Sequence, residues 1–293
     1  MNKKALEYLA DLSLLFISLV WGSTFIIVKE SIEKVDPSLF ISYRFLIASL
    51  ILSPFLIIRR NKVNKESVLA GLSMGSVLFT VFYFQTFALK YITASVTGFL
   101  TGIYTLFVPI LSYVFLHKKP YPTSIAAVIL STIGLYLISF QGNFTFGIGE
   151  SFAIINAFGI AIHIILTDYY SKKYDTIILT SVQIIVVAFL SIIFTFASGI
   201  DIKIQPEKDT IFALILTGFL ATVVAFFIQT AMQKYTTPTK AAILFTLEPV
   251  SSAFFGYLIG KEVLTFNQYI GASIIIIAML VSEVGSALIR SKR

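Results

Sequence analysis

Apolar residues in this chain come in long runs, and polar residues gather in the short stretches between them. A helix needs about 20 mostly apolar residues to cross the hydrocarbon of a bilayer. Ten stretches approach that measure, at residues 10–28, 38–58, 67–88, 94–116, 123–140, 150–167, 176–197, 209–232, 239–259 and 266–286. The fifth and sixth are the shortest. The pattern predicts an all-α integral membrane protein with ten transmembrane helices.

Polar markers repeat within that pattern. Residues 85–93 read QTFALKYIT and residues 229–237 read QTAMQKYTT. Gln85, Thr86, Lys90, Tyr91 and Thr93 thus recur as Gln229, Thr230, Lys234, Tyr235 and Thr237, at an offset of 144. Both copies close a long apolar run. A second match sets Asp36…Ser42-x-Arg44 against Asp175…Ser181-x-Gln183 at an offset of 139, with the five-residue change falling in loops. One hydrophobic unit used twice explains both matches. Each unit holds five spans, an odd number, so the second enters the membrane from the opposite side. The halves, residues 1–140 and 141–293, are then inverted five-helix repeats. Such repeats build a central site that opens alternately to two sides.

Composition agrees. The chain is 57% hydrophobic and 13% charged, with a mean hydropathy of +0.90. Soluble domains carry about 25% charged residues, so this chain has too few to cover a water-facing surface. Its net charge of +7 follows from the positive-inside rule without invoking nucleic acid. With the N-terminus cytoplasmic, the inner side collects fifteen Lys and Arg against six outside, with Arg44 inside a span. Both termini are then cytoplasmic, in a prokaryotic plasma membrane. Lys3-Lys4 precede an apolar run that continues without a cleavage site, which reads as a retained signal anchor. With no Cys, a disulfide framework and a thiolate metal site are excluded. No cofactor or metal is expected, and monomer and homodimer both stay open.

Arg44 is the sharpest chemical signal. It lies about six residues into the second span, roughly 9 Å deep. A guanidinium there must meet water, an anion or carbonyl groups. It reads as an anchor for a carboxylate or phosphate, as a gate residue, or as a structural clamp. Glu248 lies near the middle of the ninth span, directly before Pro249, whose ring predicts a kink and a freed carbonyl. Glu248 suits a proton carrier, an amine ligand or a structural hydrogen-bonder, and its depth is close enough to that of Arg44 for an ion pair. Pro109 and Pro249 are the hinge candidates. Gln85 and Gln229, at equivalent places in the repeat, suit gating or helix capping. Gln183 stands where the first half has Arg44, and suits lining the cavity or bonding a neighbouring helix. Trp21 lies near mid-membrane, where it suits stacking on a ligand or helix packing. Tyr83 and Tyr104 offer hydroxyls. His163 lacks a ligand partner at helical spacing and reads as a hydrogen-bonded helix contact. Lys29 and Asp168 read as solvated helix-end charges. The stripes Ala94-x3-Gly98-x3-Gly102 and Ser252-x3-Gly256-x3-Gly260 predict close helix packing.

The stretch LVWGSTFIIVKESIEKVDPSLFISYRFLIASLIL from Leu19, with Trp21-Gly22-Ser23, Lys29 and Arg44-Phe45, resembles the opening of EamA-type transporters of the drug/metabolite transporter superfamily. Leu247-Glu248-Pro249-Val250 and Gly260-Lys261-Glu262 resemble segments common in the second half of that family. Leu116-His117-Lys118-Lys119 departs from it where many members have an acidic residue, and Ile160-Ala161 stands where many have Trp-Ala. The resemblance implies ten helices around a central cavity, with the first four of each half lining it and the fifth peripheral. It implies a secondary transporter moving a small metabolite, more readily out of the cell than in. One Arg and one Glu amid aromatics suit an amino acid or similar amphiphile, with proton coupling as an option. No G-x-x-x-x-G-K-[ST] pattern is present, so no ATP engine is expected. A lipid flippase or scramblase is the alternative. An intramembrane enzyme is disfavoured by two His, no Cys and no paired carboxylates.

Overall fold

The computed structural model describes residues 3–139, 147–201, 207–263 and 265–291. These residues are helical almost throughout. The helices are α1 (Lys3–Ile32), α2 (Pro37–Ile58), α3 (Lys65–Tyr91), α4 (Ala94–Thr101), α5 (Tyr104–Leu116), α6 (Pro122–Ser139), α7 (Ile148–Tyr170), α8 (Thr176–Ala197), α9 (Lys208–Gly218), α10 (Ala225–Met232), α11 (Pro238–Phe245), α12 (Leu247–Leu258) and α13 (Phe266–Ser291). A π-helix, Phe219–Val224, joins α9 to α10. The boundary at 140/141 between the expected halves lies outside the described residues, as do Lys203, Lys292 and Arg293 of the charge count.

Eight helical segments among the described residues are long and apolar enough to cross a membrane: α1, α2, α3, α7, α8, and the continuous stretches 94–116, 208–235 and 238–258. Shorter apolar stretches, Pro122–Gly134 and Tyr269–Val281, lie within α6 and α13. Leu50, Phe115, Phe189 and Phe212 are each more than 60% exposed. In a bilayer such side chains face hydrocarbon at no cost. Helices overrun the apolar windows because polar ends continue the backbone ladder. α1, expected over 10–28, is the clearest case.

The helix starts explain the sequence matches. Asp36 and Asp175 both N-cap, accepting from Ser38 N at 2.8 Å and Ile177 N at 3.0 Å. Thr93 and Thr237 likewise cap α4 and α11, accepting from Val96 N and Lys240 N. Each capping oxygen satisfies a backbone donor that the first turn leaves without a partner. At the other end of the repeated unit, His117 and Lys261, also 144 apart, both take the left-handed conformation at φ 52°. The next amides, of Lys118 and Glu262, then reach back to Ser112 O and Gly256 O at 3.2 and 3.0 Å, closing each helix in the same way.

Packing is tightest where small residues meet. α1 lies along α12, α4 faces α12, α3 packs on α7 and α8, and α6 pairs with α13. A Cβ at Gly98 would stand 2.8 Å from the Ser252 side chain, so the two small-residue stripes do face each other. A Cβ at Gly22 would stand 2.3 Å from the Glu248 carbonyl and 2.5 Å from Ser251 Cβ. The Trp-Gly-Ser motif therefore works as contact geometry, with its glycine admitting the backbone of α12. Gly22→Ala is expected to cost about 1–3 kcal/mol through overpacking. It should lower the unfolding temperature of the detergent-solubilised protein, and an unchanged melt would mean that α1 and α12 are not this close.

Candidate functional site

Three of the long helical stretches are interrupted near their middles, and the interruptions surround a central cavity. The stretch 94–116 breaks at Gly102–Ile103, 208–235 passes through the π-helix, and 238–258 breaks at Thr246. Gly102 and Thr246 are again 144 apart, and so are the residues that follow each break, Tyr104 and Glu248. Both of these line the cavity. Pro249 accounts for its own break. A proline ring excludes the carbonyl four residues back, here Phe245 O, and α11 ends at Phe245. The freed carbonyl accepts a hydrogen bond from Ser18 Oγ of α1 at 3.0 Å. Pro249 itself sits in the first turn of α12, where no backbone donor is required. Pro109 differs: it lies inside α5, and its stretch breaks several residues earlier.

The cavity has a volume of about 60 Å³. That admits roughly four to six waters. α1, α2, α3, α5, α7, α10, α11 and α12 supply the lining residues. None comes from α6 or α13, nor from α8. The expectation that the first four spans of each half line the cavity is therefore met by seven of those eight.

Arg44 is 4% exposed and lines the cavity. Among the described residues its side chain makes one hydrogen bond, from Nε to Thr222 Oγ1 at 2.9 Å. Thr222 belongs to the π-helix and passes its own proton to Thr217 O at 2.8 Å. The guanidinium lies over the Phe82 ring, 4.5 Å from the centroid, which partly compensates for lost water. Its Nη groups have no protein partner among the described residues. Glu248, 5% exposed, lines the same cavity. No ion pair joins it to Arg44, although the depths of the two residues had allowed one. Each charge instead faces the cavity singly.

Trp21 is held at both ends. Its Nε1 donates to Ala221 O of the π-helix at 2.9 Å, and its ring packs on Phe226 and Phe245 at centroid distances of 5.3 and 5.5 Å. Gln85, Gln229 and Tyr104 also line the cavity. The Tyr104 hydroxyl and Gln229 Oε1 are buried without a partner. Tyr83 and Gln183 do not line it. Tyr83 stacks on Phe87 at 4.4 Å and meets Phe194 edge-on. Gln183 lies behind His163, which does line the cavity, with Oε1 at 2.9 Å from His163 Nε2. Sequence reasoning read His163 only as a helix contact. Its neighbours at i−3 and i+3, Ile160 and Leu166, are apolar and gave no signal of the cavity beside it.

The two expected solvated helix-end charges are both engaged. Lys29 caps α3, donating to Leu89 O and Ile92 O at 3.1 and 2.9 Å. Asp168 is 1% exposed and binds Lys118 and Lys172, each at 2.5 Å. Asp11 and Lys240 form a buried ion pair at 2.6 Å between α1 and α11. Glu262 caps α4, accepting from Ala94 N at 3.2 Å, Ser95 N at 3.3 Å and Ser95 Oγ. Among the described residues no group of three or more acidic or His side chains is placed to hold a metal ion.

Comparison with known proteins places this geometry in a family. The model of the EamA-like transporter family matches residues 8–140 and 147–283. An uncharacterised transporter of Archaeoglobus fulgidus is 32% identical over 272 residues, covering 93% of this chain and 85% of its own. The uncharacterised transporter YoaV of Bacillus subtilis is 23% identical over 281 residues, covering 90% and 93%. A crystal structure superposes with a TM-score of 0.78 at 17% identity, across 96% of this chain and 98% of that one, which shows that the fold is shared. The chain belongs to the EamA-like transporter family.

Proposed function

We propose that this transporter carries a small zwitterionic amphiphile, an amino acid or similar metabolite, by alternating access and in the direction of export. One observation carries the reading: Arg44 and Glu248 line one cavity, and neither has a charged partner among the described residues. A charge buried alone is costly. A ligand bearing a carboxylate and an ammonium supplies both missing partners at once, and the walls of Trp21, Phe25, Phe82, Phe226 and Phe245 suit its apolar part. We place the candidate site at Trp21, Arg44, Gln85, Tyr104, Gln229 and Glu248, with the break before Pro249 as a hinge. Pro109 is kept as a second hinge, and Tyr83 and Gln183 as supports.

The proposed scaffold is ten helices in two inverted repeats, 1–140 and 141–293, in a prokaryotic plasma membrane with both termini cytoplasmic. The paired caps, breaks and left-handed residues at constant offsets support it, as do the two segments matched by the family model. Proton coupling is placed at Glu248, the one acidic side chain lining the cavity.

Three measurements test these proposals. Lys34 and Lys173 are exposed and 139 apart, so they mark equivalent points of the two halves. In this Cys-free chain, Lys34→Cys and Lys173→Cys should react with an impermeant maleimide from opposite sides of the membrane, and labelling from one side would sink the inversion. Arg44→Ala should weaken the apparent affinity for a zwitterionic substrate in liposomes about tenfold to a hundredfold, the value of a lost charge-assisted hydrogen bond. Normal flux would remove the anchor role. Glu248→Gln should keep counterflow exchange while losing its response to an imposed pH gradient, and a retained response would move the proton site elsewhere.

A further inference from the structure

A chain of hydrogen bonds determines which nitrogen of His163 carries the hydrogen. Thr230 Oγ1 gives its single proton to the Phe226 carbonyl at 2.8 Å. Toward the Gln183 amide, 3.4 Å away, it can only accept. The Gln183 atom facing Thr230 is therefore the NH2, and Gln183 Oε1 is turned to His163 Nε2 at 2.9 Å. An amide oxygen only accepts, so Nε2 carries the hydrogen. In the neutral ring Nδ1 is then a bare acceptor. It has no partner among the described residues, and the ring is 3% exposed, with the cavity beside it.

The same logic applies one helix away. Gln233 donates its NH2 to Ile164 O at 2.7 Å, so its oxygen faces Gln229 at 3.2 Å. Gln229 must meet it with its own NH2, which leaves Gln229 Oε1 buried and unpartnered. His163 lies edge-on to Phe226 at 5.8 Å, and Gln229 follows Phe226 by one helical turn. Two acceptors without donors among the described residues thus belong to His163 and Gln229, which line one cavity. Arg44 is the cationic side chain among the described lining residues.

We propose that His163 is a specificity-determining residue. Its Nδ1, together with Gln229 Oε1, receives the N–H groups of a protonated amine on the ligand. Gln183 is the positioning residue that holds the ring in the required tautomer. The proposal rests on the cavity being the transport site. It adds that the amine is recognised by neutral acceptors as well as by the Glu248 charge.

Two measurements test it. The chain has two histidines, and His117→Asn, at a left-handed position that Asn tolerates, leaves His163 as the only imidazole. In protein labelled with 15N-histidine, the ring nitrogen shifts should report hydrogen on Nε2, and Gln183→Leu should turn that into a mixture of tautomers. Hydrogen on Nδ1, or a mixture before substitution, overturns the proposal whatever the protein transports. Trp21 is the only tryptophan and lines the cavity, so its fluorescence reports binding directly. Wild-type protein and His163→Phe are titrated with L-leucine, with isopentylamine lacking the carboxylate, and with 4-methylpentanoate lacking the amine. His163→Phe should weaken both amines about tenfold or more and leave 4-methylpentanoate unchanged. An equal loss for all three ligands, or none, overturns the proposal. A wild-type protein that responds to none of them also overturns the amine assignment, while the Arg44→Ala flux assay judges the transport reading on its own.

Discussion

A helix in hydrocarbon has to satisfy its own backbone, so a helix that breaks there exposes polar groups with no water to receive them. This structure depends on how that constraint is met around the cavity. Phe245 O, freed by Pro249, is taken by Ser18. Ala221 O in the π-helix is taken by Trp21. Thr217 O is taken by Thr222, which in turn receives Arg44. Gly102 O, at the break before α5, accepts from Thr105 Oγ1 at 2.7 Å. The repairs place Trp21, Arg44, Tyr104 and Glu248 around one space, because each break turns its neighbouring side chains toward the cavity. Two of the repairing groups, Ser18 and Trp21, come from α1. The first helix is thereby tied to both interrupted stretches of the second half.

The charges separate by the same rule. Away from the cavity the buried charges among the described residues have partners, Asp11 with Lys240 and Asp168 with two lysines. The half-buried Glu262 and Lys29 engage the start of α4 and the end of α3. Most of these contacts join helices far apart in sequence. In the cavity the pattern reverses, with Arg44 and Glu248 left without counter-charges. Leaving a buried group unsatisfied costs more than forming its bond returns. The proposed zwitterion site rests on this contrast, with charges neutralised elsewhere and these two left open.

Much of this was legible in the sequence, and the limits have physical causes. The long apolar runs marked the helices because the bilayer fixes their length. The repeated Asp36/Asp175 and Thr93/Thr237 became helix caps because capping is local chemistry. Pro249 marked a break because a proline clash reaches only four residues back. The π-helix was not legible, since Phe219–Val224 is uniformly apolar apart from Thr222 and carries no breaker. The Asp11–Lys240 pair was not legible either, because it joins residues more than 200 positions apart. Gln183 and Tyr83 were read from polarity at membrane depth, but depth does not fix the direction a side chain takes around a helix. The same ignorance of direction hid His163 from the list of cavity residues.

The two halves share backbone devices and differ in the chemistry hung on them. Tyr104 and Glu248 follow equivalent breaks, one with a hydroxyl and one with a carboxyl. Arg44 and Gln183 stand at matched places in α2 and α8, yet one lines the cavity and the other supports His163 from behind. Lys118 and Glu262 follow equivalent left-handed residues with opposite charges, and each finds a local partner of its own. The caps, left-handed residues and the breaks at Gly102 and Thr246 recur at constant offsets, whereas the side chains set on them do not. The proposed site cannot be two-fold, because a zwitterion with unlike ends needs unlike partners. Local backbone devices therefore match between the two segments that the family model covers, while the side chains that meet in the cavity differ.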